Sequence, residues 1–176
     1  MKYLFVLNPK SGPAKRAGKI KELVKSRFRE TDHQIEFAFT RGPGDATDLA
    51  RQAVKDGFDI VVAAGGDGTV NEIAGGLVES HCSMGIIPLG SGNGVARSLG
   101  IPMGIKASIH TLLNPNIRLI DIGKINGEIF VGVAGTGFDA RIGSLFQEFG
   151  VRPHSLFLNR FAGIQTLFGR NAGTDL

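Results

Sequence analysis

Ile60-Val61-Val62-Ala63-Ala64-Gly65-Gly66-Asp67-Gly68-Thr69 is the stretch whose reading decides the fold. Five apolar residues run straight into a glycine turn, and Val70, Ile73, Ala74, Leu77 and Val78 then recur at helical spacing. A short buried strand that breaks at a tight turn into a helix is the repeating step of an α/β sheet.

The same step appears on either side. Tyr3–Leu7, Ile35–Phe39 and Gly85–Pro88 are further short apolar runs that end in Gly, Pro or polar residues, as buried parallel strands do. Ile20, Leu23, Val24 and Phe28 share one helical face, as do Ala46, Leu49, Ala50, Ala53 and Val54, with Asp45 as the expected N-cap and Gly57 as the stop. Ile105, Ile109, Leu112 and Leu113 mark one more helix. Strand–helix alternation of this kind predicts an α/β fold with a doubly wound, mostly parallel sheet covered on both faces. Strand order is not legible at this level.

After Asn114-Pro115-Asn116 the texture changes. Arg118–Ile125 and Glu128–Val133 flank Asn126-Gly127, the signature of a two-residue type I′ hairpin. The expected division is therefore an α/β unit over residues 1–116 and the beginning of a second, β-rich unit over 117–176. A lone hairpin is marginal in water, so its strands should find partners in a continuation of the chain or in another copy, as a homo-oligomer.

Bulk properties agree with a globular protein. The chain has 176 residues, 42% hydrophobic and 20% charged, enough for one sizeable core. Cys82 is the single cysteine, which excludes an internal disulfide and suits a reducing, cytoplasmic setting. No apolar run approaches the length of a membrane span. Net charge is +4 with a pI near 9.5, which favours anionic partners. Lys10, Lys15, Arg16, Lys19, Lys21, Lys25, Arg27 and Arg29 crowd one early segment, better read as a solvated helix face than as a membrane-docking patch. No aromatic residues are interleaved with them, which argues against nucleic acid.

The chemistry is carried by loops. Three of the strands are followed by glycine-containing turns: Asn8-Pro9-Lys10-Ser11-Gly12, Gly65-Gly66-Asp67-Gly68-Thr69, and Gly90-Ser91-Gly92-Asn93-Gly94. In an open α/β sheet, loops at the carboxyl ends of the strands line the ligand crevice. Bare main-chain N–H groups backed by a helix N-terminus suit phosphate oxygens. A carboxylate at Asp67 would repel phosphate, and becomes intelligible if it binds Mg²⁺ or accepts a proton from an attacking hydroxyl. A structural reading competes: Thr69-x-x-Glu72 matches a capping box, and Asp67 suits a helix start. That reading leaves the flanking glycines unexplained. Ser11-Gly12 and Ser91-Gly92 taken singly are ordinary turns, and Asn93 taken singly is an N-cap; it is their joint occurrence that points to a site. No G-x-x-x-x-G-K-[ST] run is present, and no strand opens a dinucleotide fingerprint. His33, His81, His110 and His154 show no metal-ligand spacing and read as surface or capping residues.

Asn8-Pro9-x-Ser11-Gly12, Gly65-Gly66-Asp67-Gly68-Thr69-x-Asn71-Glu72 and Pro88-x-Gly90-Ser91-Gly92-Asn93, in this order, resemble the catalytic domain of the diacylglycerol kinase family, which includes bacterial lipid kinases, sphingosine kinases and ceramide kinases. Gly135-x-Gly137-Phe138-Asp139-Ala140 resembles the start of that family's β-rich second domain. The middle motif is shared with NAD kinases and 6-phosphofructokinases. The resemblance implies an NAD kinase/diacylglycerol kinase-like fold and ATP binding at Asn8, Ser11, Gly12 and Thr40, along Gly65–Glu72 (Gly65, Gly66, Asp67, Gly68, Thr69, Asn71 and Glu72) and at Gly90, Ser91, Gly92 and Asn93. Lys10 would add positive charge near the phosphates. It also implies Mg²⁺, a lipid hydroxyl such as that of diacylglycerol or a sphingoid base as acceptor, peripheral contact with a membrane surface, and Asp67 as proton acceptor or metal-linked carboxylate. Two departures stand out. Ser91 and Gly94 occupy positions where many members have Thr and Asp. Members also continue well beyond 176 residues, into acidic residues that are absent here. A non-catalytic nucleotide-binding fragment and a kinase for a soluble substrate such as NAD therefore stand as alternatives.

Overall fold

The computed structural model describes residues 1–11, 16–125 and 128–132. Within them four strands, β1 (Lys2–Leu7), β2 (Gln34–Phe39), β3 (Ile60–Gly65) and β4 (Ser83–Pro88), alternate with the helices α1 (Arg16–Phe28), α2 (Asp45–Lys55) and α3 (Asp67–Leu77). Two shorter helices, α4 (Gly94–Ser98) and α5 (Ile105–Thr111), and a hairpin of β5 (Gly123–Ile125) and β6 (Glu128–Phe130) follow. The sheet is parallel throughout, in the order β2-β1-β3-β4. The α/β expectation is met, and the order that the sequence withheld is now explicit.

Side-chain alternation along the two central strands builds both cores. Leu4, Val6, Val61 and Ala63 face α2 and α3, packing on Ala46, Ala50, Ala53, Val70, Ile73 and Leu77. Tyr3, Phe5, Leu7, Val62 and Ala64 face the other way, onto Ile20, Val24 and Phe28 of α1 and Ile109 and Leu112 by α5. A strand contributes to both layers because successive side chains point to opposite faces. The small side chains of α2 let α3 come close: a Cβ on Gly76 would stand 2.7 Å from the Ala50 methyl and 2.6 Å from the Thr47 carbonyl oxygen. Cys82 is buried beside the first layer, and burial pushes its thiol up to about 11.

Helix ends follow the sequence with some revisions. Gly57 (φ 71°) stops α2 as expected, with Gly57 N–H donating to the Val54 carbonyl and Phe58 N–H to that of Ala53, a Schellman closure. Gly100 (φ 71°) ends α4 in the same way through Ala96 and Arg97. The N-cap of α2 is Gly44 (φ 86°) rather than Asp45, whose carboxylate instead accepts the Arg41 N–H at 2.7 Å. His33 departs from a surface role, packing its ring on Tyr3 and Phe28. His81 and His110 are exposed; His154 lies outside the described residues. Lys19, Lys25, Arg27 and Arg29 are exposed along and just beyond α1.

The hairpin is shorter than the pattern suggested. Ile125 pairs with Glu128, the register of a two-residue connection, while Asn126 and Gly127 themselves lie outside the described residues. Residues 118–122 form no strand, because none of their neighbours among the described residues supplies a ladder; Leu119 is fully exposed. The motif at Gly135–Ala140 also lies outside the described residues. Met1–Val133 is one compact unit that includes the hairpin.

Candidate functional site

Chain order and sheet order diverge at one place. The chain steps from β1 outward to β2, then returns past β1 to β3 and β4, so the loops after β1 and β3 part to opposite faces. This is the switch point at which open α/β sheets take ligands.

Asn8 spans it. Its N–H donates to the Ala64 carbonyl at 3.0 Å, its Oδ1 accepts the Lys10 N–H at 2.9 Å, and its Nδ2 donates to Thr69 Oγ1 at 3.0 Å. One side chain thus closes the turn after β1 and ties it to the first turn of α3. On the far side of β1, Thr40 N–H donates to the Leu7 carbonyl at 3.0 Å and starts the loop after β2. Together these segments wall a cleft of about 200 Å³. Asn8 and Lys10 line it from the loop after β1, residues 40–43 from the loop after β2, and Gly68, Thr69 and Glu72 from α3. Among the described residues, Lys10 and Arg41 bring cationic groups to the lining, against the carboxylate of Glu72. That carboxylate also accepts the Ala46 N–H at 3.2 Å, so Glu72 braces α3 against the start of α2.

The glycine turn after β3 is built more tightly than a phosphate cradle alone would require. Helix α3 begins at Asp67, with Gly66 as an N-cap that has no side chain to offer. Thr69 and Glu72 therefore sit inside the helix, bonded to Asn8 and to α2, and the expected capping box is not formed. A Cβ on Gly65 would stand 2.5 Å from Thr69 Cβ, and one on Gly90 2.7 Å from Gly66 Cα. These glycines are required because the protein's own atoms fill the space. Gly68 is different: among the described residues nothing lies within 4 Å of where its Cβ would be, and it faces the cleft.

Asp67 reaches the next loop. Its Oδ2 accepts the Asn93 N–H at 2.8 Å and its Oδ1 the Gly94 N–H at 2.7 Å, so one carboxylate caps α4 from 26 residues away. Asn93 itself stands in the left-handed region (φ 51°, ψ 46°), and its amide bridges the N–H and carbonyl of Gly90 at 2.9 and 2.8 Å. Ser91 is exposed on that loop, and Arg97 Nε donates to the Gly92 carbonyl at 3.0 Å.

Of the residues singled out from sequence, Asn8, Lys10, Thr40, Gly68, Thr69 and Glu72 share the cleft. Gly65, Gly66, Asp67, Gly90, Gly92 and Asn93 join the second and third glycine turns beside it, with Gly92 close enough that a Cβ there would stand 2.9 Å from Asp67 Oδ2. Asp67 does not line the cleft; its neighbour Gly68 does. Asn71 is bonded to the hairpin at Ile129 and Val131. Ser11 follows Asn8, whose carbonyl accepts its N–H at 3.1 Å; Gly12 lies outside the described residues. Sequence reasoning missed Arg41, Gly42 and Pro43. The signal was there: Thr40-Arg41-Gly42-Pro43-Gly44 is a turn after a strand at the same sheet edge as the three glycine loops. No group of three or more His, Cys, Asp or Glu side chains converges on a metal position among the described residues. A lone carboxylate at Asp67 still fits Mg²⁺, which commonly takes one or two carboxylates and completes its shell with waters and substrate phosphates.

The family model of the diacylglycerol kinase catalytic domain matches residues 2–125. The diacylglycerol kinase of Bacillus subtilis is 40% identical over 117 residues, 65% of this chain and 39% of its own length. That of Staphylococcus haemolyticus is 35% identical over 142 residues, 76% of this chain and 41% of its own. A crystal structure of a diacylglycerol kinase from Bacillus anthracis superposes with a TM-score of 0.66 at 29% identity, covering 73% of this chain and 45% of that one. The chain spans about two fifths of the length of these curated relatives.

Proposed function

The chain belongs to the diacylglycerol kinase catalytic-domain family, and on that premise we propose that it is the nucleotide-binding part of an ATP- and Mg²⁺-dependent lipid kinase. The observation that carries the reading is the cleft at the switch point, where Lys10 and Arg41 meet the first turn of an 11-residue helix. The N–H groups opening α3 have no partner within the helix and, with the two cations, attract a polyphosphate. Thr40 and Glu72 offer polar groups on either side of it.

Phosphoryl transfer asks mainly for positioning and charge. The acceptor hydroxyl oxygen bonds to the γ-phosphorus as the bond to ADP breaks, and the hydroxyl proton passes to a carboxylate. Asp67 is the proposed carboxylate, as proton acceptor or metal link. Its two oxygens hold two main-chain N–H groups, and a carboxylate has about four acceptor positions, which leaves room for a further contact. Bound Mg²⁺ would neutralise charge on the phosphates. Ser11, Gly12 and Ser91 remain proposed contributors from their loops.

Residues 1–116 are proposed as the nucleotide unit and 117–176 as the beginning of the β-rich unit. The acceptor is proposed to be a lipid hydroxyl, as in diacylglycerol or a sphingoid base, met from the cytoplasmic side of a membrane surface. No helix among the described residues is long and apolar enough to cross one. A second reading, nucleotide binding without turnover, is favoured by the placement of Asp67, which does not line the cleft and whose two oxygens already accept the Asn93 and Gly94 N–H groups. Phosphate transfer from ATP to diacylglycerol or sphingosine in mixed micelles, measured beside calorimetric ATP binding, separates the two. Transfer supports the lipid kinase, binding without transfer supports the second reading, and transfer to NAD alone or no ATP binding overturns both.

A further inference from the structure

Asn71 stands in the middle of the motif, yet its side chain faces the hairpin. Its Nδ2 donates to the Ile129 carbonyl at 3.2 Å and its Oδ1 accepts the Val131 N–H at 3.0 Å. One donor and one acceptor serve Ile129 within β6 and Val131 just past its end, the pattern a neighbouring parallel strand would present opposite Phe130. The amide thus replaces a strand residue and satisfies main-chain groups that β5 does not reach. The contact extends along the hairpin's end. Val131 packs against the core that contains Val70 and Ile73, and Gly132 (φ 97°) lies beside Val95 of α4, where a Cβ would stand 3.2 Å from Cγ2.

Helical spacing explains the division of labour. Gly68 and Glu72 are four apart and share the cleft face of α3, whereas Asp67 and Asn71 share the next face round, toward α4 and β6. We infer that Asn71 is a positioning residue and not a nucleotide ligand: its amide docks the β5–β6 hairpin onto the helix whose first turn faces the cleft. The inference rests on the proposed nucleotide site for its functional consequence. A shift of that turn is passed by one side chain to the segment through which the chain leaves the α/β sheet.

The test uses the 176-residue chain with Asn71→Ala and Asn71→Asp, since the carboxylate keeps an acceptor for Val131 but loses the donor to Ile129. Val131 amide exchange should accelerate at least tenfold in the alanine variant while the ATP Kd stays within twofold. Where transfer is measured, the loss should fall on kcat for the acceptor, with KM for ATP unchanged. A tenfold weaker ATP Kd with Val131 protection intact, or no change in either, overturns the assignment. If the variants do not fold, exchange of the unmodified protein decides: Val131 protection that persists on adding ATP supports docking, and protection lost on adding ATP overturns it. An unmodified chain that binds no ATP would defeat the proposed function and leave the Val131 arm still decisive.

Discussion

Two neighbouring parts of one sheet edge use glycine in opposite ways. Where the turns after β3 and β4 meet, Gly66 and Gly90 touch main chain to main chain, Gly65 lies against the Thr69 side chain, and Asp67 fastens the junction to α4. Beside it, Gly42 and Gly68 border a cleft, and among the described residues nothing lies within 4 Å of where their Cβ atoms would be. The first region is glycine-rich because it is packed; the second is open and draws its character from Asn8, Lys10, Thr40, Arg41 and Glu72. A Gly-Gly-Asp-Gly run therefore contains both kinds of glycine, and only the tertiary neighbours tell them apart.

Alanine substitution would break or sharpen that contrast. Gly65→Ala should have the largest effect, because its methyl meets buried Thr69 at its Cβ, where no rotamer gives relief. A loss of about 3 kcal/mol in chemical denaturation is expected, the upper range for overpacking. Gly90→Ala forces two main chains apart and should cost about 2 kcal/mol by the same measure. An unchanged denaturation midpoint in both would dissolve the packed half of the comparison.

Asp67→Ala should follow, at roughly 1–2 kcal/mol, since two charge-assisted bonds to α4 are lost at an exposed position where water partly replaces them. Faster amide exchange at Asn93 and Gly94 would be its local mark. Gly68→Ala should leave stability unchanged or raise it by about 0.5–1 kcal/mol, as alanine is the better helix former. In calorimetry the same variant should bind ATP several-fold more weakly, because its methyl enters the cleft. Stability lost and affinity kept would reverse the assignment of the open half.

Much of this was legible in the residues alone. Apolar runs of strand length and the 3.6-residue spacing of Ala46, Ala50 and Ala53 or of Val70, Ile73 and Leu77 specify their elements through local geometry, and Gly57 stops α2 through a left-handed φ. That these loops gather at one edge follows from parallel strands. Partner choice across 26 or 60 positions is another matter. Asp67 on Asn93, Asn71 on Val131 and Glu72 on Ala46 depend on which strands are neighbours, and the order β2-β1-β3-β4 is set by packing between distant segments. The motif's residue types come from short-range chemistry; their directions come from the sheet that carries them.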